Sequence, residues 1–171
     1  MSRYLKTSSL MLQLNQYTIQ DGIMYEQYTS RNDNILRLTL PIPPGINEQY
    51  ATVNGRRVST AVARRFKQEV KRKLAVLERE GKLNEELHAR WRRGYLSLLL
   101  SFYFETPLKR DLDGGLKITQ DALCEGLGLN DNRVVSIHLL KYIDPLHPHL
   151  DVELEALDDW RFDEEYVLLD Q

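Results

Sequence analysis

The chain has 171 residues, 42% of them hydrophobic and 28% charged, and this composition favours one globular domain with a real core. A single cysteine, Cys124, excludes an intramolecular disulfide and fits a reducing compartment. No stretch approaches the roughly 18 apolar residues of a membrane span, and the N-terminus lacks the apolar run of a secretory signal. We therefore expect no membrane partner.

The net charge of −2 hides an uneven distribution along the chain. Residues 56–73 contain eight basic side chains and one acid, whereas residues 144–171 contain ten acids and one base. The basic stretch can meet a polyanion, and it can equally be the solvated face of a helix.

The first half of the chain begins with an extension over residues 1–34. Two short apolar runs there flank Asp21-Gly22, which predicts a β-hairpin; a partly ordered arm is the alternative. Alternation over residues 35–40 predicts a half-buried strand. Pro41 ends it, because proline cannot donate to a sheet ladder, and a glycine-containing loop is expected through Gly55.

Helical spacing follows this loop. Thr60 can cap a helix that runs to about residue 80 and whose apolar stripe is expected to contain Val62, Phe66, Val70, Leu74 and Leu77. A short helical turn is expected over residues 85–92. Alternating leucines and phenylalanines then predict the clearest strand, over residues 94–104.

The second half predicts a helix at about residues 114–127 and strands over residues 133–143 and 150–157. Because Asp144-Pro145 turns between these two strands, we expect them to pair as antiparallel neighbours. The element order is then strand, helix, strand, helix, strand, strand. It predicts an α/β or α+β fold, with a mixed sheet of about four strands and two main helices covering one face.

The clearest chemical signal is the segment 110–117, which reads RDLDGGLK. Asp111 and Asp113 lie between a buried strand and a helix start, and Lys117 lies one turn inside that helix. Carboxylates in this pattern suit Mg²⁺ or Mn²⁺ rather than zinc, and a helix N-terminus favours phosphate oxygens. With a further acid, Asp131, after the helix, the pattern predicts a metal-dependent nuclease.

A plain structural explanation exists for the same residues. Asp113 can cap the helix, and Asp113, Lys117 and Asp121 have the spacing of ordinary i,i+4 ion pairs. A helix of about fourteen residues spans roughly 20 Å. Asp131 can therefore join Asp111 and Asp113 only if the helix is shorter or the following loop folds back along it.

Six short motifs occur in a characteristic order. They are Leu38 to Pro44 (LTLPIPP), Arg110-Asp111-Leu112-Asp113, Lys117, Asp121-Ala122-Leu123, Asn130-Asp131 and Val134-Val135. Together they resemble the RusA family of Holliday junction resolvases over about residues 35–157. The N-terminal extension and an acidic tail over residues 158–171 lie outside the match, and Gly114 stands where the family commonly has Asn.

The resemblance implies a small homodimeric endodeoxyribonuclease that resolves four-way DNA junctions in recombination and repair, using Mg²⁺ or Mn²⁺. It implies Asp111, Asp113 and Asp131 as catalytic metal ligands and Lys117 as a further catalytic residue. It also implies a cytoplasmic, nucleoid-associated protein of bacterial or phage origin. We expect the basic half to supply the contacts to the DNA backbone, from Arg56, Arg57, Arg64, Arg65, Lys67, Lys71 and Arg110.

Two other classes of function stay open. A non-catalytic homologue would bind branched DNA without cutting it, so an assay on a synthetic four-way junction separates it from a nuclease. A nucleotide-sugar transferase can also carry an Asp-x-Asp metal site, although its usual nucleotide-binding domain is hard to fit into 171 residues. Turnover of a sugar nucleotide would identify it.

Overall fold

The computed structural model describes residues 17–20, 23–26, 35–108, 110–158 and 160–162. The chain divides into two compact units, Met1–Asp33 and Asn34–Gln171. The expected boundary after residue 34 falls beside this division. Among the described residues, every helix is too short or too polar to cross a membrane.

The first unit contains two short strands, β1 (Tyr17–Gln20) and β2 (Ile23–Glu26). They pair antiparallel, with Gln20 opposite Ile23. This is the pairing expected of a hairpin that turns at residues 21 and 22, which themselves lie outside the described residues.

The second unit is built on a four-stranded sheet with the order β3-β8-β6-β7. The strands are β3 (Ile35–Leu40), β6 (Tyr95–Phe104), β7 (Val134–Ile143) and β8 (His149–Leu157). β8 runs antiparallel to both β3 and β6, whereas β7 runs parallel to β6. The predicted mixed α+β fold with about four strands is confirmed.

The expected pairing of the last two strands is wrong, because β8 lies between β3 and β6 and does not touch β7 as a neighbour. The helix that connects β6 to β7 makes them a parallel βαβ pair, which occupies one edge of β6. β8 then enters on the other edge, where Leu150, Val152 and Leu154 are each at most 1% exposed. A turn specifies a reversal of the chain but not which side of a central strand the chain returns to.

Helices cover one face of this sheet. They are α1 (Ile46–Gln49), α2 (Ala61–Arg79), α3 (Glu85–Arg93) and α4 (Leu116–Leu127). Three of them are long, one more than expected, because the predicted turn over residues 85–92 is a complete helix capped by the Asn84 side chain. Trp91 of α3 and Phe102 of β6 are among the most deeply buried core side chains.

The beginning of α2 corrects the predicted apolar stripe. Thr60 caps the helix as expected, its Oγ1 accepting a hydrogen bond from the Ala63 backbone N–H at 3.2 Å. Ala63 is buried, however, and Val62 is 52% exposed. Both residues lie about one turn before the buried Phe66, so spacing alone does not decide which of them faces the core.

A two-stranded hairpin replaces the loop expected before α2. β4 (Tyr50–Val53) and β5 (Arg56–Ser59) pair antiparallel. The turn between them has positive φ at Asn54 (50°) and Gly55 (74°), the geometry of a type I′ turn. Four residues per strand are too few for alternation to be recognised against a loop.

Glu155, on the sheet face away from the helices, is a buried carboxylic acid with only 4% of its surface exposed. Within the described residues its Oε2 has no hydrogen-bond partner, and neither has the Oγ of Ser97 opposite it. Burial raises the pKa of Glu155 above its ordinary value; Glu153 and Asp158 add to this, and Arg37 opposes it. The ionised form of Glu155 is therefore less favourable in the folded chain than in the unfolded one.

We expect Glu155→Gln to raise the free energy of unfolding by about 1 kcal/mol at pH 8, because it removes a buried charge and keeps the side chain's shape. A raised acid pKa contributes stability below the unfolded pKa that is lost as pH rises through the folded pKa. The gain should therefore shrink as the pH falls through the raised pKa of Glu155 and should be lost once the pH is below the pKa of an ordinary glutamate. Urea denaturation across pH measures it, with the exposed Glu78→Gln as control; a less stable variant at pH 8 would contradict the assignment.

Candidate functional site

The acidic loop joins the end of β6 to α4. Its last residue, Gly115, is the N-cap of α4, and no side chain caps the helix. Asp113 instead accepts the Leu116 N–H through its backbone carbonyl, at 3.0 Å. Side-chain capping of α4 therefore does not explain why an aspartate occupies position 113. Its carboxylate and that of Asp111 are exposed and have no hydrogen bond or ion pair with any residue that the structure describes.

Two side chains from distant parts of the chain fix the backbone of this loop. Gln49 is 3% exposed, and its Nε2 donates to the carbonyls of Pro44 at 3.1 Å and Gly114 at 3.0 Å. Lys141 Nζ donates to the carbonyls of Pro107 at 2.7 Å and Arg110 at 2.9 Å. The first side chain ties the acidic loop to α1 and the second ties it to β7.

The loop also packs against the proline segment after β3. Arg110 Nη1 donates to the Pro43 carbonyl at 2.8 Å, and Arg110 lies 3.7 Å from the Glu48 carboxylate. Gly115 packs so closely that a Cβ there would lie 2.3 Å from Pro43 Cγ. The prolines predicted to end β3 thus also form one wall of the candidate site.

A cleft of about 570 Å³ opens between these two segments. Asp111 lies on its rim, and the buried rings of Phe102 and Phe104, stacked 5.5 Å apart, form part of its lining. Arg110 and Glu48 supply its other charges. The lining of the cleft therefore combines aromatic rings with charged side chains.

Lys117 makes the ordinary ion pair that its spacing allows. Its Nζ lies 3.0 Å from Asp121 Oδ1, and the Lys117 side chain is 70% exposed. The hydrogen bond and charge of Asp121 raise the pKa of Lys117, and the charge of Asp131 adds to this. Lys117 is accordingly a firmly protonated ammonium that faces solvent and two acids.

Asp131 lies alongside α4 rather than beyond its end. Helix α4 has 12 residues, and the loop after it folds back, because Gln120 Nε2 donates to the Asp131 carbonyl at 3.3 Å. The Cys124 thiol lies nearby; its pKa is raised to about 11 by burial and then by the charges of Asp131 and Asp121. The helix is therefore shorter than expected and the following loop folds back along it, the two conditions under which Asp131 comes closer to the start of the helix.

The three predicted metal ligands nevertheless do not meet. Among the described residues, no three His, Cys, Asp or Glu side chains lie close enough together to hold a metal ion. Asp111 opens into the cleft described above, and Asp131 lines a second cleft of about 550 Å³ together with Lys67 and Asp121. That Asp111, Asp113 and Asp131 share one ion stays a prediction.

The predicted DNA contacts fall into two groups. Lys67 and Lys71 of α2 bind Glu125 of α4 at 3.2 Å and 2.7 Å and lower its pKa, so they join two helices. Arg64 donates to the Ser59 carbonyl. The exposed side chains that have neither a hydrogen bond nor an ion pair among the described residues are Arg56, Arg57 and Arg65.

Sequence reasoning missed the residues that position the site. Gln49, Gln120 and Lys141 act through side-chain hydrogen bonds to backbone carbonyls of other elements. Tyr50 lies near Lys117 because α1 and β4 bring it there. A polar residue in a loop or strand gives no signal of such a contact in the sequence alone.

Comparison with known proteins adds no family. No protein-family model matches the chain, and no curated protein matches it significantly. The resemblance to the RusA resolvases therefore depends on the short motifs alone. The geometry of the acidic loop and of α4 carries the functional argument.

The contact between Gly115 and Pro43 predicts different effects at two adjacent glycines. We expect Gly115→Ala to lower the free energy of unfolding by about 1–3 kcal/mol, because its Cβ would overlap the proline ring. Gly114→Ala is the matched control, since its Cβ would meet only the Asp111 carbonyl at 3.5 Å, an ordinary contact. Urea denaturation of both variants measures the difference, and equal stabilities would show that the loop does not pack as described.

Proposed function

We propose that the protein is a structure-selective endodeoxyribonuclease that cuts four-way DNA junctions by metal-dependent hydrolysis of phosphodiester bonds. The observation that carries the proposal is the state of three carboxylates. Asp111 and Asp113 are exposed and unpaired in the described residues, just before the helix that carries Lys117 in its first turn, and Asp131 is exposed and unpaired alongside that helix. Unpaired acids next to one another repel, and a cation relieves that repulsion.

The donor set fits a hard divalent cation. Carboxylate oxygens at a solvent-facing loop suit Mg²⁺ or Mn²⁺, which keep several waters and take only a few protein ligands. Asp111 and Asp113 would hold the ion, and Asp131 would complete the set. When bound, such an ion lowers the pKa of a coordinated water and offsets the charge of the scissile phosphate.

Lys117 and the first turn of α4 would bind the phosphate. The N-terminal N–H groups of a helix favour phosphate oxygens. Lys117 is 70% exposed, so its ammonium can leave Asp121 and reach a phosphate oxygen without disturbing the core. In that position its charge would stabilise the negative charge that develops during hydrolysis.

The basic surface would position the DNA. Arg56, Arg57 and Arg65 are free of acidic partners in the described part of the chain, so they can contact phosphates without breaking an ion pair. Such contacts fix orientation but carry no sequence information. Two copies related by a two-fold axis would match the symmetry of a four-way junction, and we propose a homodimer for that reason.

A non-catalytic protein that binds branched DNA is the second candidate. It is favoured by the absence, within the described residues, of three metal-binding side chains already close together. Incubation of the wild-type protein with a synthetic four-way junction in Mg²⁺ and in Mn²⁺ separates the two functions. Binding in both metals without any product would support the non-catalytic candidate.

We expect Asp111→Asn to abolish junction cleavage, at least a hundredfold in rate, while binding is kept or strengthened. The amide removes one metal ligand and one negative charge that repels DNA. Glu78→Gln, an exposed acid on α2, is the charge-matched control and should cut at the wild-type rate. Gel assays of binding and cleavage measure both quantities, and normal cutting by Asp111→Asn would refute the metal assignment.

We expect Arg56→Ala with Arg65→Ala to weaken junction binding and to reduce the slope of log affinity against log salt by about 2, roughly one for each lost phosphate contact. Arg79→Ala, an exposed arginine at the end of α2, is the control and should leave the slope unchanged. Fluorescence anisotropy over a salt series gives the slope. An unchanged slope in the double variant would remove these arginines from the interface.

A further inference from the structure

The β4–β5 hairpin stands out because nothing in the described chain covers it. All four residues of β4 are exposed, and so are three of the four in β5. Two-stranded hairpins are marginal by themselves in water. An exposed hairpin that the fold nevertheless builds and orients is a candidate contact surface.

The hairpin presents two different faces. Tyr50, Thr52 and Arg57 share one face, where the Arg57 guanidinium lies 3.8 Å from the centre of the Tyr50 ring. The base of this face lies beside the candidate site, because Tyr50 directly follows Gln49, whose side chain donates to the Gly114 carbonyl at 3.0 Å. An arginine stacked on an aromatic ring is a surface suited to a phosphate and a base.

The opposite face is apolar. It carries Ala51, Val53 and Val58, with Arg56 across from Val53. Val53 is 51% exposed and Val58 is 39% exposed. The tight turn at Asn54 and Gly55 places Val53 at the tip of the hairpin, whereas Val58, which pairs with Ala51, lies on the same face one pair from the base.

The base of the hairpin is anchored to the acidic loop. The Thr60 N–H donates to the Gln49 carbonyl at 3.0 Å, and Thr60 Oγ1 donates to the Glu48 carbonyl at 2.5 Å. Gln49 in turn donates to the Gly114 carbonyl at 3.0 Å. These hydrogen bonds set the direction of the hairpin relative to Asp111 and Asp113.

The charge around the hairpin identifies the class of partner. Residues 50–68 contain no acidic side chain and five basic ones. These are Arg56, Arg57, Arg64, Arg65 and Lys67. Such a surface is complementary to a polyanion and would repel a basic protein face.

We propose that the β4–β5 hairpin is a wedge that opens the branch point of the DNA, with Val53 and Val58 contacting unstacked bases. Apolar side chains inserted between base steps, flanked by arginines on the phosphates, are a known way to distort DNA. The Tyr50–Arg57 face would then hold the displaced strand next to the acidic loop. The inference rests on the proposed function, since it names how that function selects branched DNA.

The test uses a four-way junction with 2-aminopurine at the branch point, whose fluorescence rises when the base unstacks. The full chain carries Asp111→Asn, so that cleavage does not interfere. We expect binding to raise the fluorescence, and Val53→Ser with Val58→Ser to remove most of the rise. The preference for junction over linear duplex should fall about tenfold.

Two further variants complete the test. Leu140→Ser is the matched control, because Leu140 on β7 is as exposed as Val58, at 39%; it should keep the full fluorescence rise. Val53→Tyr places a larger stacking surface at the tip of the hairpin and should increase the rise. A decrease or no change with Val53→Tyr would count against the wedge.

The outcomes separate the wedge from the proposed nuclease. If the wild-type protein cuts junctions but the double serine variant keeps the full fluorescence rise, the wedge is wrong and the nuclease stands. If the protein opens junctions through the valines but never cuts them, the wedge stands and the nuclease fails. If the double variant only turns a dimer into a monomer in sedimentation, the face is an interface between copies and the wedge is wrong.

Discussion

The buried amide of Gln49 is the contact on which the site depends. An amide group away from water must find hydrogen-bond partners, and this one donates to the carbonyls of Pro44 and Gly114. Those two carbonyls belong to the proline segment and to the acidic loop. Gln49 and Gly114 are 65 residues apart along the chain. One side chain therefore fixes the distance between two distant segments, and it also fixes the base of the β4–β5 hairpin.

Electrostatics distinguishes the candidate site from the rest of the surface. Most acids on the helices are paired, as Glu125 is with Lys67 and Lys71. The acidic loop is different, because Asp111 and Asp113 have no partner in the described residues. The nearby Lys117 is paired with Asp121 of α4 instead. Exposed acids left without counter-charges are costly to bring together, which is why a cation or a protonated lysine is the natural partner for them.

Much of the fold follows from residue periodicity. Alternation predicted three of the four strands of the main sheet, and helical spacing predicted α2 and α4, because burial on one face is a local pattern. The neighbours of β8 and the side of α2 at Val62 could not be predicted in the same way. Both depend on how the rest of the chain packs. The pattern of polar and apolar residues is the same whether β8 pairs with β6 or with β7, and whether Val62 or Ala63 faces the core.

The sequence by itself determined that a strand ends in an acidic loop, that a helix with Lys117 in its first turn follows, and that the basic and acidic residues lie in separate parts of the chain. Only the tertiary structure decided that Asp131 folds back along α4, that Lys67 and Lys71 bind Glu125, and that a hairpin stands beside the site. The physical reason is the separation along the chain of the residues that interact. Periodicity, capping and charge runs act between near neighbours, whereas these contacts join residues whose proximity exists only after the sheet and helices have packed.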